Sequence, residues 1–254
     1  MKALLTTAFA FAAFAAVPVA AQTVVEHGAE HRMQLDFRVP DAALAKFLPA
    51  GWQPTIATSG PAKDANIRVI FIDRVAVTDK DNKLVGKGAS SLVYLAVPVN
   101  NGAGGKTGQM IIGGLVSSAE DAPGPFKNYI AANATSMKRT VSTVNGKTFR
   151  EEDWKFSAPT GENFEIHVKL ESAPIAKSPP TDTKFYDPAN PDSYQTFRVE
   201  QVNDISRNAQ TKADRVSEYS FKGGGGKYAS LFDGTEVMLS VDSIPWYSRT
   251  ISTP

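Results

Sequence analysis

The sequence predicts a mainly β protein: a large antiparallel sheet curled into a cone or closed barrel, with two or so peripheral helices. Three observations carry this expectation. Short runs rich in Val, Ile, Tyr and Phe alternate with period two from Gln22 onward, turn residues separate them at hairpin spacing, and only two stretches show helical spacing. Roughly ten runs reach the size at which a twisted sheet curls or closes.

The first 21 residues read as an address rather than structure. Lys2 gives a positive start, residues 3–17 are a run of Ala, Leu, Phe, Val and Thr, and Pro18 precedes the small-residue site Val19-Ala20-Ala21. This is the layout of a secretory signal peptide cleaved before Gln22. Residues 22–254 are then expected to form one domain, periplasmic or secreted.

Along that domain, Leu35, Phe37 and Val39 alternate with Gln34, Asp36 and Arg38, as in a half-buried strand. Further strands are expected over residues 66–78, 91–99, 109–117, 148–157, 163–171, 195–202, 216–221, 235–241 and 244–251. One helix is expected from Asp41 to Leu48, after Pro40 and with an acidic first residue that suits the helix dipole. A second is expected from Gly124-Pro125 onward, where Phe126, Ile130, Ala134, Met137 and Val141 recur three or four apart. Residues 100–108 and 222–227 are glycine-rich turns. Residues 178–194 form a long Pro/Asp segment without periodicity, the kind of connection that serves as a lid or a surface loop.

Composition bounds the function. The 254 residues carry 27 Lys+Arg against 26 Asp+Glu, and loss of Lys2 with the signal peptide brings the net charge to zero. There is no broad basic surface for nucleic acid. The absence of cysteine removes disulfide scaffolds, thiol nucleophiles, zinc ribbons and iron–sulfur sites, so an exported fold must hold by core burial alone.

The motifs are few. Gly104-Gly105-Lys106-Thr107 hints at a phosphate loop, but that motif needs a glycine where Asn100 stands, and the segment joins two strand-like runs instead of opening a helix. His27 and His31 are four apart, a metal-ligand spacing on a helix, although Gly28 between them weakens one. His167 lies in a strand pattern and reads as a half-buried residue. Met137-Lys138-Arg139 sets two cations beside an apolar stripe. Desolvation and a like charge both depress a lysine pKa, and a neutral amine attacks carbonyls. The alternative is a pair of cations that simply suits a helix C-terminus.

The order of these segments resembles the acetoacetate decarboxylase-like superfamily. His31 to Arg38, the helical stretch Asp41 to Leu48 and the turn Leu48-Pro49-Ala50-Gly51-Trp52 are similar to the family's opening. Gly88 to Val99 is similar to its strand ending in apolar-Pro-Val, and Gln109 to Asp121 followed by Ile130-Ala131-Ala132 resembles the strand and helix before its Pro-Lys-Lys signature. Gly223 to Ile251 is similar to its closing segment. The resemblance implies Lys138 as the Schiff-base lysine, Arg139 as the cation that lowers its pKa, and Arg32 as the arginine that binds a substrate carboxylate. Lys127 in Gly124-Pro125-Phe126-Lys127 is a second match to the lysine. The family's strand glutamate and the proline before the lysine have no counterparts.

The implied activity is a lyase acting on a small keto acid or related carbonyl compound, without a cofactor or metal. The alternative is a non-catalytic periplasmic protein that binds a small ligand in the same cavity. A metal-dependent hydrolase using His27 and His31 ranks third. The expected partner is a small carbonyl or carboxylate compound, with room for a homo-oligomer. Neither nucleic acid nor, after signal cleavage, a membrane is expected.

Overall fold

The computed structural model describes residues 22–102, 104–124, 126 and 128–254; the expected signal peptide lies outside them. Strands dominate: β1 (Thr23–Arg38), β2 (Gln53–Pro54), β3 (Ile67–Thr78), β4 (Ser90–Asn101), β5 (Lys106–Val116), β6 (Ile130–Ala131), β7 (Ala134–Val144), β8 (Lys147–Ser157), β9 (Asn163–Glu171), β10 (Ala176–Lys177), β11 (Thr181–Tyr186), β12 (Tyr194–Asn208), β13 (Val216–Gly224) and β14 (Val237–Thr253). The first expected helix is one short α turn, α1 (Asp41–Leu44), continued by a 3-10 turn over Ala45–Phe47.

Seven strands run in the order β4-β3-β1-β14-β12-β11-β5, and β5 pairs back onto β4, so the sheet closes into a barrel. Closure removes the exposed sheet edges that an open sheet of this size leaves. The seam departs from the expected all-antiparallel pattern. β11 meets β5 in parallel, Phe185 opposite Gln109, because the chain leaves the barrel after β5 to build a second sheet before it returns. That second sheet is antiparallel, in the order β13-β9-β8-β7.

The two faces of β1 show how the layers are made. Met33, Leu35 and Phe37 point outward and are buried with Val69 and Phe71 of β3 against the second sheet's Trp154, Phe156, Phe164 and Ile166. Phe71 lies 6.1 Å from Trp154 and 6.2 Å from Phe156, ring centre to ring centre. Each such fully buried side chain contributes about 1.5–3 kcal/mol. The other face of β1 carries Glu30, Arg32 and Asp36, and all three are buried as well. The half-buried strand expected from alternation is therefore buried on both faces, the polar one turned into the barrel lumen rather than to solvent.

The second expected helix is absent. Ile130 and Ala131 form β6, and residues 134–144 are the edge strand β7. The three- and four-residue spacing of Met137 and Val141 is accidental: both are exposed, and the Thr, Ser and Val content of the segment favours a strand. The local signal for this hairpin is Asn145-Gly146, whose φ values of 51° and 78° suit the tight turn into β8. The aperiodic stretch 178–194 also holds a barrel strand, β11, and only its last part is a loop. Residues 100–108 form the β4–β5 hairpin turn, as expected.

Candidate functional site

The lumen is divided along its length. Toward the start of β1 it is filled by ions: Arg74 donates to Glu26 at 2.5 Å and to the Asp121 carbonyl at 2.7 Å, and Arg249 lies 2.7 Å from Glu30 and 3.3 Å from Glu26. The backbone N–H of Gly124 also donates to Glu26 at 3.2 Å, so the segment after β5 caps this end. Three arginines, Arg32, Arg74 and Arg249, surround two glutamates. Burial alone would push the Glu30 carboxyl up, but the charges of Arg249, Arg32 and Arg74 hold it below the usual range. Such a network ties β1, β3 and β14 together, yet its desolvation makes it weak evidence for stability.

Toward the end of β1 the lumen opens into a cavity of about 250 Å³. Arg32 lies on its wall and is 2% exposed. Its Nε donates to Glu30 at 2.6 Å, Nη1 donates to the Tyr94 hydroxyl at 3.2 Å, and the guanidinium stacks on Tyr247 with 3.3 Å between its carbon and the ring centre. Nη2 sits 2.5 Å from Glu30 but off the line of a hydrogen bond, and no other acceptor meets it. The wall continues with Gln34 and Asp36 of β1, Arg68 of β3, Thr181, Thr183 and Phe185 of β11, and Asp242 of β14.

Two carboxyls share this wall. Asp36 accepts from Gln34 at 3.3 Å and pairs with Arg68 at 3.2 Å, and burial pushes its pKa up against the Arg68 charge. Asp242 is 7% exposed, and its Oδ1 has no hydrogen-bond partner. Burial first, then the charges of Asp36 and Asp204, raise it to about 7. The cavity thus offers an arginine N–H at one place and a carboxyl that changes charge near neutrality at another.

Of the residues expected from sequence, Arg32 is on the cavity wall. Lys138 is not: it stands exposed on the edge strand β7, opposite Asp153 of β8, and no enclosed cavity surrounds it. Its assignment assumed a helix with a buried face, and the strand that replaces that helix turns it to solvent. Arg139 points the other way along β7, 3.3 Å from the buried Glu152 and 3.9 Å from Asp73, and does not meet Arg32. Lys127 lies outside the described residues. Among the described residues no lysine lines the cavity.

His27 and His31 do not form a metal centre together, because both are on β1, where four residues span roughly 13 Å rather than one helical turn. His27 contacts Thr250 at 3.1 Å. His31 is buried between the two layers, 3.0 Å from Glu152, which also accepts from Trp154 at 2.9 Å. His167 is partly buried with Asp153 at 2.9 Å and Glu218 at 3.5 Å. One of its ring nitrogens and one carboxylate oxygen each of Glu151 and Asp153 lie within 4.8 Å of one another.

Asp36, Asp242, Tyr94, Tyr247 and the β11 residues are cavity residues that the sequence reading did not single out. The signal was present in Ser240 and Asp242, polar residues two apart in a strand otherwise rich in apolar ones.

No protein-family model matches the chain, and no curated protein matches it in sequence. Solved structures do match. The enduracididine biosynthesis enzyme MppR with HEPES buffer bound gives a TM-score of 0.57 at 10% identity, covering 92% of this chain and 87% of that one. MppR complexed with the condensation product of pyruvate and imidazole 4-carboxaldehyde gives 0.52 at 12% identity, covering 90% and 87%. An acetoacetate decarboxylase-like enzyme from Sphingomonas wittichii RW1 gives 0.54 at 12% identity, covering 96% and 99%. The chain has the acetoacetate decarboxylase-like fold.

Proposed function

We propose that this is an exported protein that binds a small carboxylate in the lumen of its barrel, with Arg32 as the anchor. The supporting observation is the Arg32 guanidinium: buried on the cavity wall and oriented by Glu30, Tyr94 and Tyr247, with Nη2 making no aligned hydrogen bond. A planar guanidinium held this way suits a carboxylate oxygen. Export is supported by the pattern of residues 1–21.

The second reading is a Schiff-base lyase on a small keto acid, favoured by likeness to acetoacetate decarboxylase-like enzymes. It needs a lysine next to the ligand, and the exposure of Lys138 leaves Lys127 as the residue to test.

Calorimetric titration with pyruvate, propionate and acetoacetate decides the first reading. Binding to the native protein and a loss of tenfold or more in Arg32→Gln are expected; failure of every small carboxylate to bind would refute it. Borohydride reduction in the same mixtures, followed by peptide mapping, separates the two readings. No adduct supports the binding protein, and an adduct on Lys127 together with release of carbon dioxide from acetoacetate supports the lyase.

A further inference from the structure

The cavity wall carries two buried polar groups of opposite kind: the Arg32 guanidinium, whose Nη2 is 2.5 Å from Glu30 without an aligned hydrogen bond, and the Asp242 carboxyl, whose Oδ1 accepts no hydrogen bond. Burying a polar group without an aligned partner is costly, and a ligand with both an anionic and a cationic group engages these two groups of one cavity wall together. Their spacing is set by register. Gln34 of β1 lies opposite Asp242 of β14 and Arg32 opposite Ile244, so Arg32 and Asp242 are diagonal neighbours on the lumen face, a pairing that sets residues about 7–8 Å apart, with Cβ atoms somewhat closer. The Nε contact to Glu30 draws the guanidinium toward the start of β1, away from the row that Gln34 shares with Asp242.

We infer that the ligand carries a carboxylate and an ammonium at opposite ends of a short chain, an ω-amino acid or a compound of that chemistry, with Arg32 taking the carboxylate and Asp242 the ammonium. This rests on Arg32 as the carboxylate anchor and adds the cation end. An α-amino acid, whose charges are adjacent, reaches only one of the two groups. The remaining wall is compatible: Gln34, Thr181, Thr183 and Gln201 offer hydrogen bonds, and Ile70 and Phe185 offer apolar contact for methylenes.

The test compares matched pairs by calorimetric titration at pH 8: propionate with 3-aminopropionate, butyrate with 4-aminobutyrate, and hexanoate with 6-aminohexanoate, with glycine as the α-amino control. The expected result is that one or more ω-amino acids bind at least tenfold more tightly than the matched acid and than glycine, and that this ratio falls to about one in Asp242→Asn. If the plain acids bind equally well, or glycine matches the ω-amino acids, the inference fails and the carboxylate-binding reading stands. If no acid of either kind binds, both fail.

A measurement on the native protein guards against a misfolded variant. The ratio should rise between pH 5.5 and 8 as Asp242 loses its proton, in the presence of Asp36 and Arg32 from β1, Arg68 from β3 and Asp204 from β12. A ratio constant across that range overturns the assignment of the cation to Asp242.

Discussion

Asp242→Asn tests whether the lumen carboxyl is as strained as its surroundings imply. In the unfolded chain this carboxyl ionises near 3.8, whereas in the fold it keeps its proton to about 7, because it is buried and faces the charges of Asp36 and Asp204. Between those two values the folded state holds a proton that the unfolded state has released, so stability falls as pH rises. The span amounts to about 4 kcal/mol, at about 1.4 kcal/mol per pH unit. Asp36 is raised too and acts in the same direction. Glu30 and Glu152 are held below 4.5, so their contributions are lost as pH falls below that value and do not enter this window. Urea unfolding at pH 4.5, 6, 7 and 8 should show the native protein losing most of those 4 kcal/mol. Asp242→Asn should show a much shallower decline and be the more stable protein at pH 8. Parallel stability curves for the two proteins would refute the reasoning, since a group that titrates alike in both states contributes no slope.

Three further outcomes follow from the same contacts. Lys138→Ala should change stability by less than about 0.5 kcal/mol in urea unfolding and leave carboxylate binding intact, because Lys138 is an exposed residue on an edge strand; a loss of binding would return it to the site. Trp154→Ala should cost about 3–5 kcal/mol in the same assay, since the ring packs on Phe71 between the layers and its indole N–H donates to Glu152; a cost under 1 kcal/mol would mean that the layers do not meet there. His167 should titrate above 6.5 by NMR, held up first by its hydrogen bond to Asp153, and Asp153→Asn should lower that value; an unchanged titration would refute the pairing.

Much of the fold was legible in the sequence because strand alternation records burial directly. Residues 163–171 match β9 end to end, and the runs at 66–78, 91–99 and 109–117 match β3, β4 and β5 to within a few residues. What failed was the segment from Phe126 to Val141. There the apolar residues happen to fall at helical intervals, and nothing in composition alone says that β7 is an edge strand with little to bury. β11 was missed for a related reason: six residues flanked by Pro and Asp carry too few alternations to stand out from a loop, although Thr181, Thr183 and Phe185 all face the cavity.

The site was less legible than the fold, and the cause lies in barrel closure. A half-buried strand and a strand of a polar-lumen barrel present the same alternating pattern, since both pair an apolar face with a polar one. Only closure decides whether Arg32 and Asp36 meet solvent or each other's neighbours across the lumen. Closure depends on the long-range β4–β5 and β11–β5 pairings, which no local window contains. For the same reason an adjacent Lys-Arg pair carries little weight as a catalytic signal in a chain of this kind. On a strand, successive side chains point to opposite faces, so Lys138 and Arg139 part company: one goes to solvent, the other toward Glu152 and Asp73. Two residues apart is the informative spacing on a strand. Along β1, Glu30, Arg32, Gln34 and Asp36 follow that spacing into the lumen, and the last three line the cavity that Asp242 of β14 shares.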